Sequence, residues 1–489
     1  FEQIQRSTSD AKHPTRKIKI GGDGYFGYWF LTSPEMRIQS PREGFTVDFT
    51  DDGGMYAERL EKFNKKEYDI IVLPINSYLQ HGAKYKFPGV IVAGICESKG
   101  ADAIVGFADV LPTDNINELD NAGLKIVYTG GSPSSFLLDL MISDFGLENL
   151  RNSKDWRREV GGSVDVFKQA KKAVKDRKQG DAFVLWEPQV SQAIENLGLK
   201  YLWGSDKFAG YIIDVMVVHR KFVEKHPDLT LKFLKTYFRT MDTYAGEKEK
   251  MVKEMSKSMS LKKSVVKNII GRIDWFDLHE NCNQLFGIQT NVSLPAYDKL
   301  ISSIIQCGTV MERAGIFNTR KLADPYLIVY SEFLSKLIKS DIRKLGVNRG
   351  AEGRFAELNE NQWSQLKEVG TMRIEPISFQ QGTNYLDETG KDVVDNVATL
   401  LINNYPGYRI AVRGHTGPGD LDANKQLSVE RAEMVAQRLI AVHGMQSARL
   451  KSEGMGATVP PKRKPGESMR SLRFRMPRVE FVLLEMNKF

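Results

Sequence analysis

The stretch from Tyr405 to Ile440 constrains the fold of this chain more than any other. Residues 408–413 alternate apolar and polar side chains, which is typical of a half-buried β-strand. Residues 414–422 are rich in glycine, proline and aspartate, and they predict a loop. From Ser428 onward the apolar residues recur at spacings of three and four, which predicts a helix capped by that serine. The sequence therefore predicts a strand, a loop and an amphipathic helix in direct succession.

This strand, its Gly-His-Thr loop and the Ser-x-x-Arg-Ala start of its helix resemble the core of the OmpA-like peptidoglycan-binding domain. The same domain occurs in the stator protein MotB. The resemblance extends from about Met372 to Leu484. It implies a small α+β sandwich domain that binds the diaminopimelate residue of an uncrosslinked peptidoglycan stem peptide.

The same resemblance implies the residues that would contact the stem peptide. Arg431 matches the arginine that grips a ligand carboxylate, and a planar guanidinium can do so in bidentate fashion. We expect it in the first turn of its helix, where the helix N-terminus adds positive potential. Asn424 matches the asparagine that precedes the Leu-Ser pair, and Thr416 matches the loop threonine.

Two departures from the family pattern concern the ligand ammonium group. The family has an aspartate directly after Gly-His-Thr, where this chain has Gly417, and the usual Asn-Arg-Arg before Val-Glu-Phe is replaced by Met476-Pro-Arg. Asp420 or Asp422 is then the candidate partner for the ammonium. In the alternative interpretation, the domain keeps the fold but serves in homodimer formation or another protein contact.

Short apolar strands separated by helix-length segments fill the N-terminal part of the chain. This pattern predicts an α/β lobe with a mostly parallel sheet. The predicted strands are 17–20, 45–49, 69–73, 89–93, 103–105, 125–128, 182–185 and 211–218.

Five short motifs follow one another along these strands: Ser98–Ile104, Gly131–Ser135, Gly180–Ala182, Trp186–Pro188 and Ile213–Val215. Their order resembles the type 2 periplasmic binding proteins, in particular those of nitrate, sulfonate and thiamine-precursor importers. The resemblance covers about Lys17 to Lys339 and implies two α/β lobes joined by crossing strands, the second near 106–210. The predicted domains are a polar tether at 1–16, a binding module at 17–340, a linker at 341–371 and the OmpA-like domain at 372–489.

A cleft between two such lobes would receive polar ligands at strand ends and helix N-termini. The candidate contacts contain several carboxylates and only Lys99 as a nearby cation, which favours a cationic or neutral polar ligand over a plain oxyanion. Each residue also has a structural interpretation, as core, cap or turn, and a degenerate cleft that binds nothing is the alternative. The candidates are Asp23, Tyr25, Tyr28, Trp29, Asn76, Ser77, Ser98, Asp102, Ser132, Ser134, Ser135, Trp186 and Glu187.

Residues 22–27 match the Gly-x-Gly-x-x-Gly pattern of a dinucleotide-binding loop, and Asp48 lies where a ribose-binding acid would. Pro34 and Pro41 leave little room for the long helix that such a fold places between its first strands. A nucleotide-dependent enzyme is therefore a minor alternative. The sequence shows no nucleophile motif and no metal-ligand spacing, and we expect no enzyme, metal or cofactor.

Composition bears on the partners and the cellular location of the chain. The 489 residues carry a formal net charge of +8, but no basic-aromatic interleaving of a nucleic-acid-binding module occurs. No run of eighteen apolar residues is present, and the chain begins at Phe1. We expect an upstream signal peptide or membrane anchor that is absent from this chain, and a periplasmic location with attachment to the inner membrane.

Together these observations predict a cell-envelope binding protein that is anchored to peptidoglycan and carries a module for a small polar ligand. The alternative is a wall-gripping structural or stator-like subunit with an empty cleft. The expected partners are the peptidoglycan stem peptide, a small polar ligand and an inner-membrane transporter or motor complex, without nucleic acid.

Overall fold

The structure is a computed structural model that describes most of the chain. It covers residues 16–112, 115–289, 297–318, 321–322, 324–340, 355–380, 383–464 and 466–486. The predicted tether, apart from Arg16, and residues 341–354 of the predicted linker lie outside the described residues.

The strands follow one another along the chain and are numbered in that order. They are β1 Arg16–Gly22, β2 Phe45–Asp51, β3 Ile70–Pro74, β4 Gly89–Ser98, β5 Asp102–Gly106, β6 Ile126–Thr129, β7 Arg157–Val160, β8 Ala182–Trp186, β9 Lys200–Gly204, β10 Ile213–His219, β11 Ile273–Trp275, β12 Lys367–Thr371, β13 Arg409–His415, β14 Leu450–Gly456 and β15 Arg478–Glu485.

Helices connect most of these strands. The α-helices are Pro34–Arg42, Tyr56–Asn64, Ile75–Gly82, Pro133–Phe145, Glu148–Asn152, Ser163–Lys175, Gln189–Leu197, Arg220–Lys225, Pro227–Gly246, Lys248–Met259, Lys263–Ile270, Leu278–Glu280, Lys299–Arg313, Glu332–Ser340, Glu360–Ser364, Glu388–Asn403, Leu421–Ala441 and Met469–Arg475. A π-helix spans Asn281–Leu285, and short 3-10 helices include Phe26–Thr32, Ala83–Tyr85, Ile116–Leu119, Arg177–Gln179, Ser205–Lys207, Pro325–Ile328 and Ser447–Arg449.

The chain forms two compact units, which are described separately below. The first contains the described residues of Phe1–Pro112, Ala122–Leu140 and Lys154–Val347. The second contains those of Thr113–Asn121, Met141–Ser153 and Asn348–Phe489. In the described part of the chain, no helix is both long enough and apolar enough to cross a membrane.

A six-stranded sheet in the first unit has the order β11-β4-β10-β3-β1-β2. Strand β1 is parallel to β2 and β3, whereas β10 is antiparallel to β3 and β4. Strands β3 and β10 are buried along their whole length. Such continuous apolar strands are expected in a sheet that is covered on both faces by helices.

A five-stranded sheet in the same unit has the order β7-β6-β8-β5-β9. Strand β6 is parallel to β7 and β8, and β5 is antiparallel to β8. Its core includes Val105, Phe183 and Val166, all of them buried. The predicted second lobe at 106–210 misses the start of this sheet, because β5 begins at Asp102.

A four-stranded sheet in the second unit has the order β12-β15-β13-β14. The central strand β13 is antiparallel to β15 and parallel to β14. Strand β12 pairs with β15, so the sheet begins inside the segment that the sequence predicts as a linker. The linker prediction is therefore wrong from residue 367 onward, because these residues hydrogen-bond to the last strand.

The long helix after β13 begins earlier than the sequence predicts. It starts at Leu421, and the Asp420 carboxylate caps it by accepting a hydrogen bond from Ala423 N at 2.8 Å. Ser428 lies inside the helix, where its hydroxyl donates to Lys425 O at 2.7 Å. The prediction of a cap at Ser428 is wrong because the first turns of the helix are mostly exposed, and their few apolar residues do not follow a helical periodicity.

Candidate functional sites

Polar residues converge at one edge of the six-stranded sheet. Asp23 directly follows β1, and Asn76 lies just beyond β3 at the start of helix Ile75–Gly82. Asp214 is in β10, which runs antiparallel to β3 and pairs there with Pro74. Cys96 of β4 is the partner of Asp214 on its other side. Because these strand ends meet at one edge, side chains that are far apart in sequence become neighbours.

The five-stranded sheet contributes a second group in the same way. Asp102 at the start of β5 pairs with Trp186 at the end of β8. Ser132 follows the end of β6, which is parallel to β8. The predicted ligand contacts of this sheet therefore share one edge as well.

The two sheets of the first unit are joined by direct contacts at these edges. His81 Nε2 lies 2.8 Å from Gly131 O. Arg272 Nη1 donates to Glu187 Oε1 at 2.7 Å, and that carboxylate is fully buried. All of the predicted ligand residues are buried in this unit.

Arg59 organises the acidic groups on the side of the six-stranded sheet. Its side chain is fully buried and donates to Asp23 Oδ2 at 2.9 Å and to both carboxylate oxygens of Asp52. It also donates to Val72 O, and its guanidinium lies 4.7 Å from the centre of the Tyr56 ring. Burial raises the pKa of Asp23, although the adjacent guanidinium acts in the opposite direction. Arg59 is thus committed to Asp23 and Asp52 and is not a donor awaiting a ligand.

Asp214 is a second buried carboxyl group at this edge. The Tyr28 hydroxyl donates to its Oδ1, and Cys96 Sγ lies 3.8 Å from its Oδ2. Burial raises the pKa of Asp214 well above its usual range, and the neighbouring Asp102 and Asp23 carboxylates add to the shift.

Four of the predicted contacts keep polar atoms that have no hydrogen-bond partner in the described structure. These atoms are Tyr25 Oη, Asn76 Oδ1, Ser77 Oγ and Asp102 Oδ1. The exposed fractions of the four residues are 6%, 1%, 0% and 2%. Burying a polar group without a partner costs about 1–3 kcal/mol, so such groups are rare in finished protein cores. Burial raises the pKa of Asp102 to about 7; a hydrogen bond with the Ser98 side chain acts in the opposite direction, and the Asp23 and Glu187 carboxylates add to the rise.

The other predicted contacts are engaged within the protein. Trp29 Nε1 donates to Ser258 Oγ at 2.8 Å, and the Trp186 indole packs against Gly54, where a Cβ would lie 3.0 Å from its ring. Glu187 accepts from Ser191 as well as from Arg272. The serine hydroxyls at 98, 132, 134 and 135 bond to Ser205, Thr129 O, Val184 O and Ser132 O, respectively.

Sequence reasoning missed Arg59, Asp214 and Tyr56. A signal for each was present: Asp214 is the lone charge in an apolar strand, and Arg59 shares a helix face with Tyr56 and Phe63 at spacings of three and four. A charge on a buried face requires a partner, and the partner here is a pair of aspartates.

The glycines of the Gly-x-Gly-x-x-Gly loop serve packing. A Cβ on Gly22 would lie 2.4 Å from Phe49 Cζ, and one on Gly27 would lie 2.6 Å from Cys96 Sγ. The loop continues into the 3-10 helix Phe26–Thr32 and not into a long helix that could present its N-terminus to a pyrophosphate. Among the described residues, no group of three or more His, Cys, Asp or Glu side chains is arranged to hold a metal ion.

In the second unit, Arg431 opens onto a pocket of about 170 Å³. Its Nη2 donates weakly to Thr383 O at 3.3 Å, its guanidinium lies 4.8 Å from the centre of the Phe379 ring, and its Nε has no acceptor. Burial lowers the pKa of Arg431, and no carboxylate of the described residues offsets this. The remaining lining comes from Ile377, His415, Pro477 and Arg478.

A second set of polar groups lies beside Arg431. His415 Nε2 lies 3.2 Å from Glu480 Oε2, and Arg478 Nε donates to Glu480 Oε1 at 2.6 Å. Burial alone would raise the pKa of Glu480, but His415 and Arg478 lower it to about 2. His415 Nδ1 and Thr416 Oγ1 are buried and have no partner. The pocket therefore offers one guanidinium without a carboxylate partner among the described residues, together with several polar atoms.

The other residues predicted to contact the stem peptide have different positions. Arg431 lies in the interior of helix Leu421–Ala441, so the expectation that it occupies the first turn is wrong. Asp420 caps that helix and Asp422 is exposed in its first turn, and neither lines the pocket. Asn424 Nδ2 donates to Gly417 O at 3.1 Å and so holds the loop.

Comparisons with known proteins give a family for the C-terminal part and a fold for the rest. Residues 378–473 match the model of the OmpA family. The alkanesulfonate-binding protein of Xanthomonas axonopodis pv. citri, solved with bound MOPS, is similar over 66% of this chain and 100% of its own, with 14% identity and a TM-score of 0.50. The periplasmic nitrate-binding protein of Synechocystis PCC 6803 is similar over 67% and 90%, with 12% identity and a TM-score of 0.50. No curated protein sequence matches the chain.

These similarities confirm the predicted fold class, a two-lobed α/β module of the type 2 periplasmic binding protein kind followed by a smaller α+β OmpA-like domain. At such low identity the two solved structures establish the fold alone. The chain therefore joins a module with the fold of periplasmic solute-binding proteins to a C-terminal domain of the OmpA family.

Proposed function

We propose that the chain is a periplasmic cell-envelope protein that is held to peptidoglycan by its OmpA family domain and presents a solute-binding module for a small polar ligand. The single observation that carries the anchor is Arg431, a half-buried guanidinium that faces a pocket without a carboxylate partner among the described residues.

The chemistry of this pocket supports a carboxylate ligand. A buried guanidinium without a counter-ion is costly, and a carboxylate that accepts two parallel N–H bonds offsets that cost. The Phe379 ring lies against the guanidinium, with 4.8 Å between its centre and the guanidinium carbon, and this cation–π contact helps to hold the side chain at the pocket. The stem peptide of peptidoglycan ends in carboxylates, and recognition of that peptide is the function that the resemblance of this domain implies.

The solute-binding part of the proposal is supported by the enclosed, unpartnered atoms of Tyr25, Asn76, Ser77 and Asp102. In a degenerate cleft, with no ligand to bind, we would expect these groups to be paired or replaced by apolar ones. Attachment to the inner membrane and association with a transporter or motor complex remain predictions of the sequence.

Calorimetric titration of the full chain with a soluble muropeptide that contains diaminopimelate tests the anchor. We expect binding, and we expect Arg431→Ala to weaken it by about 1.5–3 kcal/mol, or roughly 10- to 150-fold, because charged hydrogen bonds are lost. Arg431→Lys should recover only part of the affinity, since an ammonium cannot bind the carboxylate in bidentate fashion.

Arg470→Ala is the matched control, because Arg470 is an exposed arginine of the same domain and does not line the pocket. It should bind like the unmodified protein. Equal weakening by Arg431→Ala and Arg470→Ala would indicate a general effect of positive charge. If the muropeptide gives no binding heat with the unmodified protein, the proposed attachment to peptidoglycan is wrong.

A further inference from the structure

The four unpartnered atoms among the predicted ligand contacts indicate the polarity of a ligand that would pair with them. Asp102 Oδ1 and Asn76 Oδ1 are hydrogen-bond acceptors, whereas Tyr25 Oη and Ser77 Oγ can donate or accept. A carboxylate oxygen and an amide oxygen that lack donors both require N–H or O–H groups from the ligand. An anion such as a sulfonate supplies only further acceptors.

The charges around these atoms favour a cation. The described groups that surround Asp102 contain more carboxyl groups than guanidinium groups, and both guanidinium groups are already bound. Arg59 is held by two aspartates and Arg272 by Glu187, while Lys99 pairs with Glu97 at 2.8 Å. The carboxyl groups are Asp23, Glu187 and Asp214, and the guanidinium groups are those of Arg59 and Arg272, which pair with Asp23 and Glu187.

Aromatic rings complete these surroundings. Tyr25 and Tyr56 are buried and interact electrostatically with both Asp102 and Asp214. Tyr25 also packs edge-to-face on Tyr28 with ring centres 5.3 Å apart. Aromatic faces attract a desolvated cation, and they exclude water from the ion pair it forms.

We propose that the cleft of the first unit binds a small protonated amine whose ammonium group donates hydrogen bonds to Asp102 Oδ1 and Asn76 Oδ1. This inference rests on the solute-binding part of the proposed function and adds the chemical class of the ligand. The raised pKa of Asp102 agrees with this inference. A buried carboxyl group whose pKa is about 7 is partly protonated at neutral pH, and an ammonium group that binds beside it favours the charged carboxylate.

Calorimetry on the full chain with three classes of probe tests this inference. Ethanolamine and putrescine are the primary amines, tetramethylammonium is a cation without N–H donors, and nitrate and methanesulfonate are the anions. We expect at least one primary amine to bind at millimolar concentration or below, and more tightly than tetramethylammonium, with no binding of the anions.

Two variants locate the binding. Asp102→Asn should weaken amine binding roughly tenfold or more, and Asn76→Ala should weaken it by a smaller factor, because a charged pair contributes more than a neutral acceptor. Asp48→Asn removes an exposed carboxylate from β2 and should change nothing. If Asp102→Asn does not fold, the affinity of Asn76→Ala for the amine still tests the same site.

Binding of an anion in preference to the amines would overturn the charge assignment while leaving a solute-binding function in place. Failure of both primary amines to bind, tetramethylammonium binding as tightly as ethanolamine, or unchanged affinity in Asp102→Asn would each overturn the proposal. The affinity of the second unit for the muropeptide is measured independently, and Asp102→Asn should leave that affinity unchanged.

Discussion

Replacing Asp102 by asparagine should stabilise the ligand-free protein at neutral pH. The carboxyl group is almost completely buried, one of its oxygens has no partner, and burial raises its pKa from 3.8 to about 7. Asparagine has the same shape and no charge to desolvate. The groups that face Asp102 are Asp23, Glu187, Asp214, Tyr25, Tyr56 and Cys96, with the guanidinium groups of Arg59 and Arg272 bound to the first two.

The size of the gain in stability follows from the rise in the pKa of Asp102 from 3.8 to about 7 on folding. Below pH 3.8 the Asp102 carboxyl is protonated in both the folded and the unfolded state, so it does not affect the free energy of unfolding. As the pH rises to 7, only the unfolded state releases the proton, and stability falls by about 1.4 kcal/mol for each of about 3 pH units, or about 4 kcal/mol. The unpaired N–H groups of asparagine cost about 1–3 kcal/mol. The net gain at pH 8 is therefore about 1–3 kcal/mol.

Thermal unfolding of the full chain at pH values from 4 to 8 measures this gain. For a unit of roughly 300 residues, 1–3 kcal/mol corresponds to an increase in Tm of about 2–5 °C at pH 8. The increase should shrink toward pH 4, and Asp48→Asn should show no such trend. A Tm difference that does not grow with pH, or a variant that is less stable at pH 8, would refute the reasoning about a buried, uncompensated carboxylate.

Three further predictions follow from contacts in the two units. Arg59→Leu should destabilise the first unit by about 3–5 kcal/mol in denaturant unfolding, because Asp23 and Asp52 would lose their buried partner; a loss below 1 kcal/mol would contradict this. The affinity for ethanolamine should rise about tenfold between pH 6 and pH 8 in calorimetry, because Asp102 must be ionised to bind it; a lower affinity at pH 8 would contradict it. Acetylating the side-chain amine of a diaminopimelate muropeptide should change its affinity for the protein less than about threefold. The reason is that Glu480, the carboxylate near the pocket, is already paired with His415 and Arg478. A larger loss of affinity would show that the ammonium group has a partner in the protein.

Most of the fold could be predicted from local sequence signals. Continuous apolar runs such as Ile70–Pro74 and Ile213–His219 predict buried strands, because a strand covered on both faces has no polar side. Strands β7, β9 and β11 of the first unit, and β12 in the predicted linker, are not among the predicted strands. The exposed residues of β7 at the sheet edge and the mixed pattern of β9 give a weak signal.

The candidate site was only partly predictable. Residues after strand ends, such as Asp23, Asn76 and Asp102, could be identified because topology brings such ends together. Which of them keep unsatisfied atoms could not be predicted, since that depends on contacts between distant segments. Arg59, for example, takes Asp23 as its partner across the sheet.

In the OmpA family domain, the sequence identifies Arg431 as a candidate contact but places it in the first turn of its helix, whereas it lies in the interior of that helix. The helix cap at Asp420 lies outside the apolar pattern that marks the rest of the helix, so that pattern alone places the start of the helix at Ser428. The environment that makes Arg431 a candidate, with Phe379 against its guanidinium and an open pocket beside it, comes from a loop that precedes it by many residues. Only tertiary structure could reveal that loop.

The most direct test of the wall-anchoring claim observes the Arg431 guanidinium itself. Arginine side-chain Nε–Hε signals can be followed by NMR while the full chain is titrated with the diaminopimelate muropeptide, with Arg438 as an internal reference because it is already paired with Asp395. The Arg431 signal should shift in proportion to binding while the Arg438 signal stays in place. Saturation with the muropeptide that leaves the Arg431 signal unmoved would contradict the account.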